Sequence, residues 1–198
     1  MREPSFVVIL SGPSGVGKTT ICDRLLAESN GIVYSVSTTT RPIRSGEVDG
    51  ANYNFVSEEE FDRVAGEGGF VEWAVVHGHR YGTPAGFIEK SLKAGKIVLL
   101  EVDVQGGEKL SGLYPSGVSV FLIPPSFEAL AERLRGRGTE DEAVMSGRIE
   151  RAREEMGHVD KYGYRVVNDE VDNAVEKIKA IISAEKCRVP RWSSPEGF

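Results

Sequence analysis

The sequence predicts an α/β protein in which a parallel sheet carries helices on both faces. Three observations lead there. Near-continuous apolar runs such as 6–10 (FVVIL) and 97–100 (IVLL) are each followed by a segment of helical periodicity, as strands buried on both faces require. A glycine-rich motif, Gly12 to Thr19, stands between the first run and the first helix. Two stretches of different composition interrupt the alternation, one rich in short strands and glycine, the other in arginine.

In chain order, strands are expected at 6–10, 33–36, 52–56, 70–76, 97–103, 118–123 and 164–167, where apolar side chains run on or alternate with period two. Helices are expected at 17–28, 58–65, 84–94, 105–113, 127–136, 140–156 and 171–187. In the first of these, Ile21, Leu25 and Leu26 form an apolar stripe. Ser57 with Glu60, and Thr139 with Glu142, fit the capping box, in which each side chain satisfies a free backbone donor. Thr83 before Pro84 reads as an N-cap with proline at the first helical position.

One domain over 1–198 accounts for this pattern, with a core made of 1–36, 96–130 and 161–186. Residues 37–95 read as an inserted α+β lobe, because 37–81 is rich in short strands, glycine and polar side chains. Residues 131–160 hold six of the fifteen arginines and no lysine. Charge pattern alone fits either a pair of solvated, salt-bridged helices or a mobile lid that brings arginines to a phosphate. Residues 187–198 read as a loosely held tail.

Composition narrows the class. The chain has 24 basic and 30 acidic side chains, a net charge of −6, with 40% apolar and 27% charged residues, as in a soluble globular protein. No apolar run is long enough to cross a bilayer, and the N-terminus does not read as a signal peptide. Cys22 and Cys187 have neither metal nor disulfide spacing and read as small buried hydrophobes in a reducing, cytoplasmic compartment. The acidic balance repels nucleic acid, so an anionic ligand has to be held by local arginines. His77 and His79 have no third ligand at suitable spacing and are not read as a metal pair. His158 reads as an exposed side chain, and Phe70 and Trp73 as core of the lobe.

The segment Gly12-Pro13-Ser14-Gly15-Val16-Gly17-Lys18-Thr19 matches the phosphate-loop pattern, followed by Thr20 in the helix. Its glycines let backbone N–H groups converge on phosphate oxygens at a helix N-terminus. Lys18 would reach the β- and γ-phosphates, and the Thr19 hydroxyl would ligate Mg²⁺. Glu101 and Asp103, spaced i and i+2 at the end of an expected strand, would share one face near that site.

The acceptor has to be read from the lobe. Arg41 and Arg44, with hydroxyls before them and Tyr53 after, could wrap one phosphate dianion. Guanine presents two donors, N1–H and the 2-amino group, to which the Glu72 carboxylate could be the acceptor. Ser37 would then donate to the 6-oxygen.

Together these segments resemble a guanylate kinase, over about residues 6–186. The resemblance rests on GPSGVGKTT, SVSTTTRPIRSGEVDGANYNFVS, FVEWAVVHGHRYGTP, LLEVDVQG, RLRGRGTE and VVND. It implies the fold of a phosphate-loop kinase, with a three-layer core, a GMP-binding lobe and a helical lid. It further implies transfer of the ATP γ-phosphoryl group to GMP, and to dGMP, with Mg²⁺. By motif position it places GMP contacts on Ser37, Arg41, Arg44, Glu47, Tyr53, Glu72, Tyr81, Thr83 and Asp103. Lid arginines fall on Arg133, Arg137 and Arg148, and an adenine-side contact on Asn168. Lys18, Arg41, Arg137 and Arg148 are the expected catalytic set. Metal contacts fall on Thr19 and, directly or through water, on Glu101 or Asp103. Many relatives have aspartate where this chain has Glu101. Two rival readings are a non-catalytic binding module of the same fold and a kinase for another phosphorylated acceptor. The first would lack a complete phosphate loop, the second the pair Ser37 and Glu72. Small-molecule substrates are the expected partners, not nucleic acid or membrane, and monomer and homo-oligomer both stay open.

Overall fold

A computed structural model describes residues 4–76, 78–135 and 142–191, the side chains of 142–146 excepted. Along the chain the elements are β1 (Val7–Ser11), α1 (Lys18–Glu28), β2 (Ile32–Tyr34), β3 (Thr38–Thr39), β4 (Asn54–Phe55), α2 (Glu58–Gly66), β5 (Phe70–Val76), β6 (His79–Pro84) and α3 (Ala85–Lys93). They continue with β7 (Ile97–Glu101), α4 (Val104–Leu113), β8 (Val118–Ile123), α5 (Phe127–Arg135), α6 (Glu142–Met156), β9 (Tyr164–Val167) and α7 (Val171–Lys186).

The run FVVIL explains the layering. Its side chains alternate across the sheet, and both faces are apolar, so both must be covered. Val8 and Leu10 pack with Ile21 and Leu25 of α1 and Val175, Ile178 and Ile182 of α7. Val7 and Ile9 pack on the other face with Ile88 of α3 and Leu110 of α4. The sheet between these layers is parallel throughout, in the order β2-β7-β1-β8-β9. β1 is thus the central strand, and the glycine-rich motif leaves its C-terminal end.

A second, four-stranded sheet, β4-β3-β6-β5, is built from the segment between β2 and α3. β3 and β6 were not anticipated. β6 carries Gly82 and Pro84, which hide its pleat. A Cβ at Gly82 would lie 2.8 Å from the Phe70 ring, so glycine lets that aromatic cross the strand.

Local expectations are corrected in several places. Ser57 Oγ accepts from the Glu60 amide at 3.2 Å, but the Glu60 carboxylate pairs with Arg63 instead of closing the capping box. β6 runs through Pro84, which is itself the N-cap of α3, and the Thr83 hydroxyl is turned elsewhere. β7 ends at Glu101, and Asp103 is the N-cap of α4, its Oδ1 accepting from the Gly106 amide at 2.7 Å. The two carboxylates therefore do not share a strand face. Cys22 is buried, Cys187 exposed. Trp73 is 44% exposed, touching Phe61 only with its edge, whereas Phe70 stacks on Phe61 at 4.6 Å. The tail is anchored as far as it is described: Arg191 lies over the Phe6 ring and pairs with the buried Glu185 at 2.7 Å. His158 is partly exposed and pairs with Glu108. Thr139, His77 and residues 192–198 lie outside the described residues.

Candidate active site

β1 delivers its loop to the C-terminal edge of a parallel sheet, where the free ends of the strands leave room for a ligand. Gly12 (φ 145°) and Gly17 (φ 98°) hold conformations that L side chains rarely adopt. A Cβ would also lie 2.4 Å from the Leu122 carbonyl oxygen at Gly12, and 2.7 Å from Asn168 Nδ2 at Gly17. Gly17 caps α1 with no side-chain acceptor, which leaves the first amides of that helix open to an anion.

One neighbouring acceptor does reach the loop. The Ser14 amide donates to Glu155 Oε2 at 3.0 Å, so a carboxylate from the last turn of α6 sits where the motif would take a phosphate. Lys18 is folded back, its Nζ donating to the carbonyls of Gly12 (2.7 Å) and Pro13 (3.3 Å). Burial pulls its ammonium below the usual lysine range, opposed by the charges of Glu101, Glu155 and Asp103. Behind the loop, Asn168 Nδ2 donates to the Val16 carbonyl at 2.7 Å, while its buried Oδ1 has no partner. Arg133 ties Val16 to the carbonyl of Asn168 at 3.0 Å.

A cavity of about 260 Å³ opens in front of the loop. Glycines of the loop, Lys18, Thr19, Glu101 and Asp103 line one side; the second sheet lines the other with Glu72, Tyr81 and Thr83, joined by Ser37 and Tyr53, which lead into β3 and β4. Strand periodicity aims β5: Glu72, Ala74 and Val76 face the cavity, while Trp73 and Val75 face solvent. Opposite Glu72 in the register stands Thr83, whose hydroxyl donates to Glu72 Oε1 at 2.7 Å. Glu72 Oε2 is buried and has no partner among the described residues. Burial raises the Glu72 carboxyl above its ordinary value, with Thr83 and Lys109 acting against the shift.

Beside the loop, the Thr19 hydroxyl donates to Glu101 Oε1 at 2.8 Å. Tyr34, which sequence reasoning did not single out, donates to the other oxygen, Oε2, at 3.3 Å. Glu155 was missed as well. Both contacts join residues far apart in the chain, which no local pattern signals.

The arginines stand differently. Arg41 is 7% exposed and bidentate to Glu47, at 2.7 and 3.0 Å, and its Nε donates to the Tyr81 hydroxyl at 3.2 Å. Glu47 also accepts from the Arg44 amide. The acid therefore faces the arginine instead of the cavity, and Arg41, Arg44 and Glu47 do not line the cavity. Arg148 is half-buried on α6 and also lies off the cavity wall. Arg137 lies outside the described residues.

A phosphate loop at the centre of a parallel sheet, opening on a cavity that a second polar sheet completes, is the construction of a phosphate-loop kinase acting on a small molecule. Comparison with known proteins makes this specific. The family model described as guanylate kinase matches residues 5–185. The chain is 50% identical over 191 residues to a guanylate kinase of Caldanaerobacter subterraneus subsp. tengcongensis, covering 96% of this chain and 93% of the relative. It also resembles the crystal structure of guanylate kinase from Anaplasma phagocytophilum, with a TM-score of 0.82 and 34% identity over 96% of this chain and 90% of that one. A shikimate kinase from Bacteroides thetaiotaomicron, at 17% identity and a TM-score of 0.50 over 90% of this chain and 98% of that one, shares the fold alone. The chain belongs to the guanylate kinase family and is a nucleoside monophosphate kinase. Among the described residues no helix is long and apolar enough to cross a membrane.

Proposed function

We propose that this protein transfers the γ-phosphoryl group of ATP to GMP, and also to dGMP, in the cytoplasm, with Mg²⁺ as the metal. The observation that carries the acceptor is Glu72. Its Oε1 is fixed by Thr83, its buried Oε2 has no partner among the described residues, and the residue lines the cavity. An orphaned buried carboxylate oxygen is costly unless a ligand supplies donors, and guanine brings two. Ser37 would donate to the guanine 6-oxygen, and Asp103, which also lines the cavity, would stand beside the ring.

The acceptor phosphate is already largely a dianion at neutral pH, so no general base is assigned. The chain's work is to bring two polyanions together and stabilise the charge on the group in flight. Tyr53 and Tyr81, their rings 5.7 Å apart, would orient the acceptor phosphate together with Arg41 and Arg44. Glu47, now bidentate to Arg41, would yield part of that pairing as the guanidinium turns to the phosphate. Gly12 to Thr20 would cradle the donor phosphates, and Lys18 would leave its two carbonyls for them. Arg133 and Asn168 would bound the adenine side. Arg137 and Arg148 would reach the transferring group when 131–160 closes as a lid and excludes water.

The donor set of Thr19, Glu101 and Asp103 is all hard oxygen, which suits Mg²⁺ with phosphate oxygens completing its shell. When bound, the metal would neutralise developing charge on the phosphates. A coupled ADP-release assay across GMP, dGMP, AMP, CMP and UMP tests the reading. Turnover confined to the two guanine nucleotides is expected, and equal turnover of AMP would overturn it.

A further inference from the structure

We propose that Tyr34 is a positioning residue for the metal site: its hydroxyl anchors Glu101 Oε2, so that Oε1 is presented to Thr19 and the metal. The inference rests on the metal reading above and deepens it. Tyr34 closes β2, paired in register with Leu99 of the strand that ends at Glu101. Its ring packs against the main core cluster, which fixes the hydroxyl relative to the strand end. The phenol donates to Glu101 Oε2 at 3.3 Å while Thr19 donates to Oε1 at 2.8 Å, so the two oxygens are divided between two roles.

The chemistry explains why such an anchor is useful here. Glutamate has one rotatable bond more than aspartate, so its carboxylate needs an extra constraint to stand at a fixed point beside a metal. A hydrogen bond from a partly buried phenol, its ring packed on the core, supplies that constraint. Partners that orient a metal-binding carboxylate in this way typically change metal affinity by tenfold or more when removed. Glu101 reaches Tyr34 because of its length. An aspartate at 101, one carbon shorter, would withdraw its carboxylate from the phenol.

The test is a double-mutant cycle read by metal binding instead of turnover. Mn²⁺ is titrated into the full-length protein saturated with ADP, and free Mn²⁺ is followed by its paramagnetic resonance signal against an ADP-only control. Tyr34→Phe keeps the ring and its packing. It is expected to weaken Mn²⁺ recruitment about tenfold, with unchanged melting temperature and unchanged GMP affinity by calorimetry. In the Glu101→Asp background, Tyr34→Phe is expected to change Mn²⁺ affinity less than twofold. An unchanged affinity in Tyr34→Phe, or an equal loss in both backgrounds, overturns the positioning role. A wild-type complex that binds ADP but recruits no Mn²⁺ beyond the ADP-only control refutes the metal reading itself, and is seen before any variant is examined.

Discussion

Glu72→Gln separates acceptor recognition from fold stability. The carboxylate has one oxygen held by the Thr83 hydroxyl at 2.7 Å and one buried oxygen without a partner. In the variant the amide oxygen stays with Thr83, the one fixed donor, and the NH₂ group takes the place of Oε2. That donor then meets the donors of guanine. The loss of one charge-assisted hydrogen bond and the facing of two unsatisfied donors cost about 2–4 kcal/mol. This corresponds to a fall of roughly 30- to 1,000-fold in kcat/KM for GMP. Inosine monophosphate, which lacks the 2-amino donor, is expected to lose less.

The same substitution has an opposite sign for stability. Burial raises the carboxyl in the folded protein, so folding favours its neutral form and stability falls as pH rises from the ordinary glutamate value through the raised one. A neutral glutamine removes that loss, so the melting temperature at pH 7 should equal or exceed the wild type's. On the proposed reading GMP needs the ionised acceptor. Wild-type GMP affinity should therefore rise with pH until Glu72 is fully ionised and then level off, and the variant should lose this dependence. Steady-state kinetics between pH 5 and pH 8, with thermal melts alongside, provide both readouts. A folded Glu72→Gln that phosphorylates GMP as well as the wild type would show that Glu72 does not read guanine.

Lys18→Ala should lower kcat by orders of magnitude in a folded protein, because among the described residues Lys18 donates only to two carbonyls of its own loop; near-normal turnover would contradict the phosphate-loop role. Arg148→Ala should reduce kcat far more than GMP affinity, as a group that engages only on closure does; an effect confined to KM for GMP would remove it from the lid. Glu155→Gln takes a competing negative charge off the Ser14 amide, so calorimetry should find ATP bound several-fold more tightly; unchanged or weaker binding would mean that the contact does not compete. Glu185→Ala breaks a buried pair with Arg191 and leaves the Tyr164 hydroxyl unpartnered, at a cost of about 3 kcal/mol in denaturant unfolding; a loss below about 1 kcal/mol would make the tail anchor dispensable.

What could be read from the sequence followed from how far apart the cooperating residues stand. The phosphate loop was legible because strand, glycines, lysine and helix are contiguous, and the glycine conformations are local demands of the backbone. The layered core was legible because FVVIL is apolar on both faces. β6 was not, since HRYGTP pairs through its backbone while Gly82 and Pro84 erase the side-chain alternation. Thr83 shows the limit well. Before a proline it has the signature of an N-cap, yet its register opposite Glu72 gives its hydroxyl a charged acceptor, which is worth more than a cap. Asp103 shows the reverse, an expected strand residue that a helix start claimed as its cap. Arg41 was legible as a phosphate candidate but not as a residue whose guanidinium is already held by Glu47, six positions on, in a loop with no period to align them. The long-range contacts, Tyr34 to Glu101 and Ser14 to Glu155, exist only because the parallel order of strands and the packing of α6 bring distant side chains to one cleft. The loop read as the phosphate site is therefore written locally, whereas the groups that reach it from elsewhere are written in the topology.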